Sequence, residues 1–357
     1  MEHYRGRAGD SPFICMSGFE DLPKLMKEIG LSGLSLDKRK LCIISDSNVA
    51  PIYLTQLKKL IGDPPAFVFR AGEANKNLDT LQDIYTFFLD NGLDRKSVVV
   101  ALGGGVVGDM AGFAAATYMR GIPFIQLPTS LLAQVDASAG GKTAVDFLGY
   151  KNIIGAFHQP SLVYINLATL ETLPAKEFTS GMAEVIKHGL IGDADYYSFL
   201  HKNIQAIRDM KPEALHEVVA GSVRIKSAVV AKDERESGPR EVLNFGHCVG
   251  HAIESLSEYS LTHGHCVAIG MAYALRLSGI VNNVPESNIN QALELIKAFD
   301  LPISIKDYTA KDIIDTMYKD KKTINDSLRI VLLKKIGEAY TDENLSPETI
   351  LGVLKDE

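Results

Sequence analysis

Potential metal-binding residues recur in the second half of this chain. Glu184 and His188 stand four residues apart in Met182-Ala183-Glu184-Val185-Ile186-Lys187-His188, as do His247 and His251 in Asn244-Phe245-Gly246-His247-Cys248-Val249-Gly250-His251, and His263 and His265 flank Gly264. Residues four apart on a helix share a face, so each of the first two pairs can aim both donors at one ion. Taken singly, a histidine is more often a hydrogen-bonded core or surface residue. Taken together, three such nitrogen and oxygen donors without a cysteine describe a catalytic metal with an open position, able to polarise a substrate oxygen. Spacing alone does not choose the three.

A second group lies in the first half. Leu102-Gly103-Gly104-Gly105-Val106-Val107-Gly108-Asp109 satisfies GxGxxG after an apolar strand and opens an expected helix from Val106 to Tyr118. Glycines there let backbone N–H groups approach a pyrophosphate at a helix N-terminus. The usual dinucleotide fingerprint adds an acidic residue about 20 positions later, where this chain reads Ile125-Gln126-Leu127-Pro128-Thr129-Ser130. A tight strand-to-helix turn with no ligand would give the same glycines. Gly140-Gly141-Lys142-Thr143 imitates the end of a phosphate loop, but Asp136 occupies the position of its opening glycine, which excludes that motif. Lys142, with Lys151 and Asn152 nine residues on, still offers ammonium and amide donors for an anion.

The elements that must position these groups follow from hydrophobic periodicity. Short apolar runs alternate with amphipathic stretches: Leu41 to Ser45, Val49 to Leu60, Phe67 to Arg70, Leu78 to Asn91, then strands at Ser97 to Leu102 and Pro123 to Leu127. That alternation predicts a parallel α/β sheet with ligands at the strand ends. From about Ala175 the apolar residues fall at helical spacing, as in Leu215, Val218, Val219 and Val223, with a polar break at Asp233 to Glu241 and a β-branched run at Leu328 to Leu333. The expectation is an α/β Rossmann-like domain over 1–175 followed by a mainly α-helical domain over 176–357.

Composition bounds the function. A chain of 357 residues, 46% hydrophobic and 23% charged, has material for two cores. The net charge of -7 argues against a sequence-independent nucleic-acid binder. Cys15, Cys42, Cys248 and Cys266 lack CxxC spacing, so neither a disulfide framework nor a thiolate zinc knuckle is indicated. No apolar leader opens the chain, and no later stretch reads as long enough to cross a bilayer; a cytoplasmic protein with no membrane partner is expected.

Four segments together resemble the 3-dehydroquinate synthase family: LGGGVVGDMAGFAAATYMRG at 102–121, LPTSLLAQVDASAGGKTAVDFLGYKNIIGAFHQP at 127–160, GMAEVIKHG at 181–189 and LNFGHCVGHAIE at 243–254. The likeness runs in order from Asp46-Ser47-Asn48 through Gly72-Glu73-Ala74-Asn75-Lys76 to Asp320-Lys321-Lys322, almost the whole chain. It implies a phosphate-eliminating lyase of the shikimate pathway, which converts 3-deoxy-D-arabino-heptulosonate 7-phosphate to 3-dehydroquinate. The implied route is transient oxidation by NAD, β-elimination of phosphate, re-reduction, ring opening and intramolecular aldol closure, with zinc or cobalt as the metal. It also implies a homodimer.

By motif position the resemblance implies Glu184, His247 and His263 as metal ligands, leaving His188 and His251 outside the set. It implies an NAD site built from Asp46, Asn48, Glu73, Lys76, Gly104, Gly105, Asp109, Thr129, Ser130, Lys142, Lys151, Thr172 and Glu177, with Asp46 or Asp109 supplying the acidic partner. Asp136, Lys142, Lys151, Asn152, Lys187, Lys226, Arg240, Asn244 and His251 match substrate-site positions; Arg120 matches one reaching over from the neighbouring subunit, and Lys321 or Lys322 completes the set. His265 stands where the family usually has glutamate. A metal-dependent polyol dehydrogenase, a sister sugar-phosphate cyclase and a non-catalytic sugar-phosphate binder are the competing readings. Against the first stands the cluster of cations, which a neutral polyol does not need; Arg240 and Asn244 favour a carboxylate-bearing substrate over the second.

Overall fold

The computed structural model describes residues 2–8, 11–28, 40–234, 238–258, 260–305, 307–321 and 328–355, the side chains of 2–5, 7–8 and 319–321 excepted. It divides into two compact units, Met1–Leu173 and Pro174–Glu357.

In the first unit, β1 (Glu2–Ala8) and β2 (Ser11–Met16) form an antiparallel pair that precedes α1 (Leu22–Glu28). There follow β3 (Leu41–Asp46), α2 (Ala50–Leu60), β4 (Ala66–Phe69), α3 (Leu78–Asp90), β5 (Val98–Gly103), α4 (Gly105–Thr117) and β6 (Phe124–Pro128). A hairpin of β7 (Lys142–Phe147) and β8 (Tyr150–Phe157) leads to β9 (Leu162–Asn166). The seven-stranded sheet has the order β1-β2-β9-β6-β5-β3-β4, parallel from β2 onward.

Every residue of β3 and β5 is buried, as expected of central parallel strands covered on both faces. Cys42, Ile44, Val99 and Ala101 face one core with Leu81, Ile84 and Phe88 of α3 and Met110 of α4. Leu41, Ile43, Val98 and Val100 alternate to the opposite core with Leu25 of α1 and Leu57 of α2. Each large apolar side chain so buried contributes roughly 1.5–3 kcal/mol. The strand order reverses between β3 and β5, because the chain runs outward from β3 to β4 and then returns to the other side of β3. Such a switch point leaves a crevice at the carboxyl ends of the two strands.

The second unit contains α5 (Ala175–Gly192), α6 (Ala194–Lys202), α7 (Ile204–Arg208), α8 (Pro212–Val230), a 3-10 turn at Pro239–Asn244, α9 (His247–Leu256), α10 (His263–Asn282), α11 (Glu286–Ala298) and α12 (Ala310–Lys321). It ends with the hairpin β10 (Ile330–Lys335) and β11 (Glu338–Asp342) and α13 (Pro347–Lys355). Val249 and Ile253 of α9, Ile269 and Tyr273 of α10, Ile313 and Met317 of α12, Leu332 of β10 and Val353 of α13 share one core.

Backbone meets backbone where α5, α9 and α10 join. A Cβ on Gly270 would lie 1.8 Å from the Gly246 carbonyl oxygen, one on Gly264 2.0 Å from that of Ser180, and one on Gly250 3.0 Å from that of Cys266. Contrary to the expectation from sequence, α10 does reach the length and apolarity needed to cross a bilayer, but 72% of that window is buried within the fold. Its apolar character serves the core.

Candidate active site

The crevice at the switch point gathers most of the expected nucleotide residues. Asp46 ends β3, and its Oδ1 accepts the N–H groups of Asn48 and Val49, both at 2.9 Å; it caps the chain entering α2. Gly103 is demanded by the fold, since a Cβ there would strike Val107 at 2.4 Å. Gly104 and Gly105 are not. Their nearest neighbours to an added Cβ would be Ser130 Oγ at 3.5 Å and Ala137 Cβ at 3.6 Å, ordinary contacts. The absent side chains therefore leave open space at the N-terminus of α4, lined also by Gly108, Gln126 and Ser138. Peptide N–H groups and the helix dipole suit a pyrophosphate in that space, so the residues present fit a dinucleotide. Thr129 donates its N–H to Gly103 O at 2.9 Å, and Ser130 Oγ accepts the Ala133 N–H at 3.3 Å.

Beside this cradle Lys76 is 4% exposed. Its ammonium lies 2.6 Å from Asp109 and 3.8 Å from Glu73, and contacts the Asn152 amide oxygen. Burial works against its charge, but Asp109 and Glu73 outweigh burial and raise its pKa above the ordinary lysine value. The Lys76 carbonyl accepts the Asp146 N–H at 2.8 Å, and Asp146 Oδ1 in turn accepts the Asn152 N–H at 2.8 Å. Lys151, on the same hairpin, lies 3.9 Å from Glu73, so the structure brings Lys151 and Asn152 to the nucleotide residues, while Lys142 is exposed at the start of β7. Asp136 sits in a π-helical turn, Ala133–Ala137, anchored by Gln134, whose amide donates to Thr169 Oγ1 at 2.9 Å and to the Asn166 carbonyl at 3.2 Å. Thr172 closes a 3-10 turn and bonds the Tyr53 hydroxyl. Arg120 is exposed and left-handed, φ 69°, after Met119 at φ 51°. Glu177 belongs to α5 and so to the second unit.

In that second unit Glu184 lies on α5, while His247 and His263 are the first residues of α9 and α10. One donor atom from each lies within 4.8 Å of the other two: Glu184 Oε1 is 3.6 Å from His247 Nε2 and 3.6 Å from His263 Nε2. Gly246 takes φ +79° to turn the chain into α9, and the Gly264 N–H donates to Ser180 Oγ at 3.1 Å, docking the start of α10 on α5. His247 Nδ1 lies 3.2 Å from the Phe245 carbonyl. With the proton on Nδ1, the Nε2 lone pair is left facing Glu184.

Burial, and then the Lys187 ammonium, hold the His247 pKa well below the usual histidine value. Burial opposes charge on His263 too, but Glu184 and Glu254 outweigh it and raise its pKa to about 9. A carboxylate and two imidazoles converging on one point, with one imidazole held neutral, is the donor set of a divalent transition metal. His265 is directed elsewhere: its Nδ1 bonds Thr262 Oγ1, and burial followed by Lys176 lowers its pKa.

Lys187 is 1% exposed and ion-paired with Glu184. Lys226 and Arg240 are 5% and 2% exposed, and Asn244 ends the 3-10 turn that carries Arg240. His251 is exposed, its ring centroid 5.2 Å from that of His247. The side chain of Lys321 and the whole of Lys322 fall outside the described residues. Two acidic residues escaped the sequence reading. Asp233 Oδ2 accepts the N–H groups of Gly238 at 2.8 Å and Arg240 at 3.2 Å, closing the loop that presents Arg240. Glu254 is buried at 6% and faces His263; its place three residues after His251 and seven after His247 was the available signal.

Two family models match, 3-dehydroquinate synthase N-terminal over residues 66–180 and 3-dehydroquinate synthase C-terminal over 181–323. The chain belongs to the 3-dehydroquinate synthase family. Within that family it is 42% identical to the 3-dehydroquinate synthase of Acetivibrio thermocellus over 348 residues, 95% of each chain. Among solved structures it resembles 2-deoxy-scyllo-inosose synthase complexed with carbaglucose-6-phosphate, NAD+ and Co2+, at 26% identity and TM-score 0.86 over 100% of both chains. It also resembles 2-epi-5-epi-valiolone synthase from Streptomyces hygroscopicus subsp. jinggangensis with NAD+ and Zn2+ bound, at 25% identity and TM-score 0.85, covering 96% of this chain and 95% of that one.

Proposed function

We infer that the protein is a 3-dehydroquinate synthase, converting 3-deoxy-D-arabino-heptulosonate 7-phosphate to 3-dehydroquinate and phosphate. The convergence of Glu184, His247 and His263 within 4.8 Å, in a chain matched by both family models, carries this reading. Glu184, His247 and His263 would hold one divalent metal, zinc or cobalt, and the crevice with Asp46, Asn48, Glu73, Lys76, Gly104, Gly105, Asp109, Thr129 and Ser130 would hold NAD. When bound, NAD accepts and returns a hydride and the metal polarises the hydroxyl being oxidised.

The remaining chemistry belongs to the side chains. Lys187, buried beside Glu184, places a positive charge where an oxyanion develops at that centre. Lys226 and Arg240 are buried cations, and Arg240, whose Nη1 donates to the Glu234 carbonyl, carries a planar fork suited to a carboxylate or phosphate. Asn244, His251, Asp136, Lys142, Lys151 and Asn152 complete the assignment of substrate-recognising groups. A neutral polyol does not call for such a cluster of cations.

A homodimer is part of the reading. Leu148, Tyr150, Ile153 and Phe157 on the hairpin are 80%, 69%, 62% and 51% exposed, and Met119 beside Arg120 is 41% exposed; an apolar surface of this kind is what a second copy of the chain would cover. If Arg120 acts across that interface, mixing Arg120→Ala and Lys142→Ala proteins restores partial activity in hybrid dimers, and no recovery in verified hybrids removes the shared site. The four cysteines form no disulfide, consistent with a cytoplasmic setting.

The deciding assay is phosphate release from the heptulosonate phosphate with trace NAD, before and after chelation. Metal-dependent release far beyond the NAD present, without accumulating NADH, is expected. Stoichiometric NADH from a polyol without phosphate would instead identify a dehydrogenase.

A further inference from the structure

His263 faces two carboxylates. Its Nε2 lies 3.6 Å from Glu184 Oε1, and its Nδ1 lies 3.6 Å from Glu254 Oε2. Glu254 is 6% exposed and projects from α9, two turns beyond His247. Burial of an anion is costly unless a partner offsets its charge, and His263 Nδ1 faces it at 3.6 Å. The two imidazoles of the triad are thereby oriented in different ways: a neutral peptide carbonyl stands at Nδ1 of His247, and an anion stands at Nδ1 of His263.

We propose that Glu254 is a positioning residue for the metal centre, which holds the proton of His263 on Nδ1 so that Nε2 faces the ion with its lone pair. A carboxylate behind a ligating imidazole fixes the tautomer and ring orientation and makes the ligand more basic. Because Glu254 and His247 share α9, the same helix sets one ligand and orients the other, so the spacing of α9 against α10 is read at both imidazoles. The inference rests on the assignment of Glu184, His247 and His263 as ligands.

The test measures zinc and cobalt affinity of the purified full-length protein by competition with a chromophoric chelator, together with the visible spectrum of the cobalt form and the melting temperature of the metal-free form. Glu254→Ala should weaken zinc binding about 10–100-fold and alter the cobalt bands, while Glu254→Gln, which keeps an oxygen acceptor but no charge, falls between it and the parent. Should the alanine variant fail to fold, the glutamine variant carries the test, with an affinity loss at unchanged melting temperature as the expected result. Affinity and cobalt spectrum matching the parent in the folded variants, or loss of a second bound ion rather than weakening of the first, overturns the proposal. Glu184→Gln and His263→Ala serve as controls: if they too retain the ion, the ligand assignment itself has failed, and if they lose it while Glu254 variants do not, only the role of Glu254 has.

Discussion

The two units use glycine for opposite purposes. At the N-terminus of α4, Gly104 and Gly105 leave space that the protein does not fill, since a Cβ at either meets nothing closer than 3.5 Å. Where α5, α9 and α10 join, a Cβ on Gly246, Gly264 or Gly270 would come within 2.7 Å of backbone in another segment, and one on Gly250 would come to 3.0 Å. The first is an opening that would admit a ligand; the second is a seam that holds α9 against α10, the helices that begin at His247 and His263. The same residue type marks a binding surface in one unit and a packing constraint in the other, and only the surroundings of the Cβ position tell them apart.

The comparison is most sharply broken at Gly270. Gly270→Ala should destabilise the protein by about 1–3 kcal/mol through overpacking and abolish stoichiometric zinc binding, read by thermal melting and metal content. A parent-like melting curve with full zinc would mean that the seam is soft.

The proton on His263 gives the next effect. Its pKa of about 9 in the metal-free protein lies above the unfolded value near 6.5. The stability it confers is therefore complete below about pH 6.5 and is lost as pH rises through 9. An ion must displace the Nε2 proton of the imidazolium while Nδ1 keeps its own, so zinc affinity should rise roughly tenfold per pH unit between 7 and 9 and then flatten, with one proton released per ion at pH 7. An affinity independent of pH over that range would contradict the geometry around His263.

The smallest change is expected at Gly104. Gly104→Ala should leave the melting temperature within a degree or two of the parent, because surface-like substitutions without clash cost little, yet weaken NAD about tenfold, or 1.4 kcal/mol, in a fluorescence titration. Loss of fold stability with unaltered NAD affinity would reverse the roles given to the two glycine sets.

The sequence made the central sheet legible because β3, β5 and β6 are continuous apolar runs followed by helix-start residues, and the triple glycine located the crevice. It did not disclose the hairpin of β7 and β8. Leu148 and Gly149 both take positive φ, 50° and 84°, with Phe147 paired to Tyr150; a turn of this kind ordinarily carries Asn or Asp before the glycine, and a leucine there gives no turn signal. The paired strands β1 and β2, the buried β9 and the short β11 were missed as well, since short strands lack a period that sequence alone can establish. At the metal centre, residue types and spacing narrowed the ligands without choosing among them. The choice depended on where α9 and α10 begin and on the direction of each ring, and Glu254, although its spacing from His247 placed it on the same helix face, met His263 only through the packing of α9 against α10.

The seam also acts as a gauge. With the main chains of α9 and α10 already in contact, His247 and His263 cannot be drawn closer together unless the helices part. An ion that bonds imidazole nitrogen at about 2.0–2.1 Å suits two histidines and a carboxylate better than one that prefers six or more oxygens. The closest approach of the two imidazoles is thus limited by glycine positions that carry no donor atom, and a larger residue at Gly250 or Gly270 would shift the starts of both helices without any ligand being exchanged.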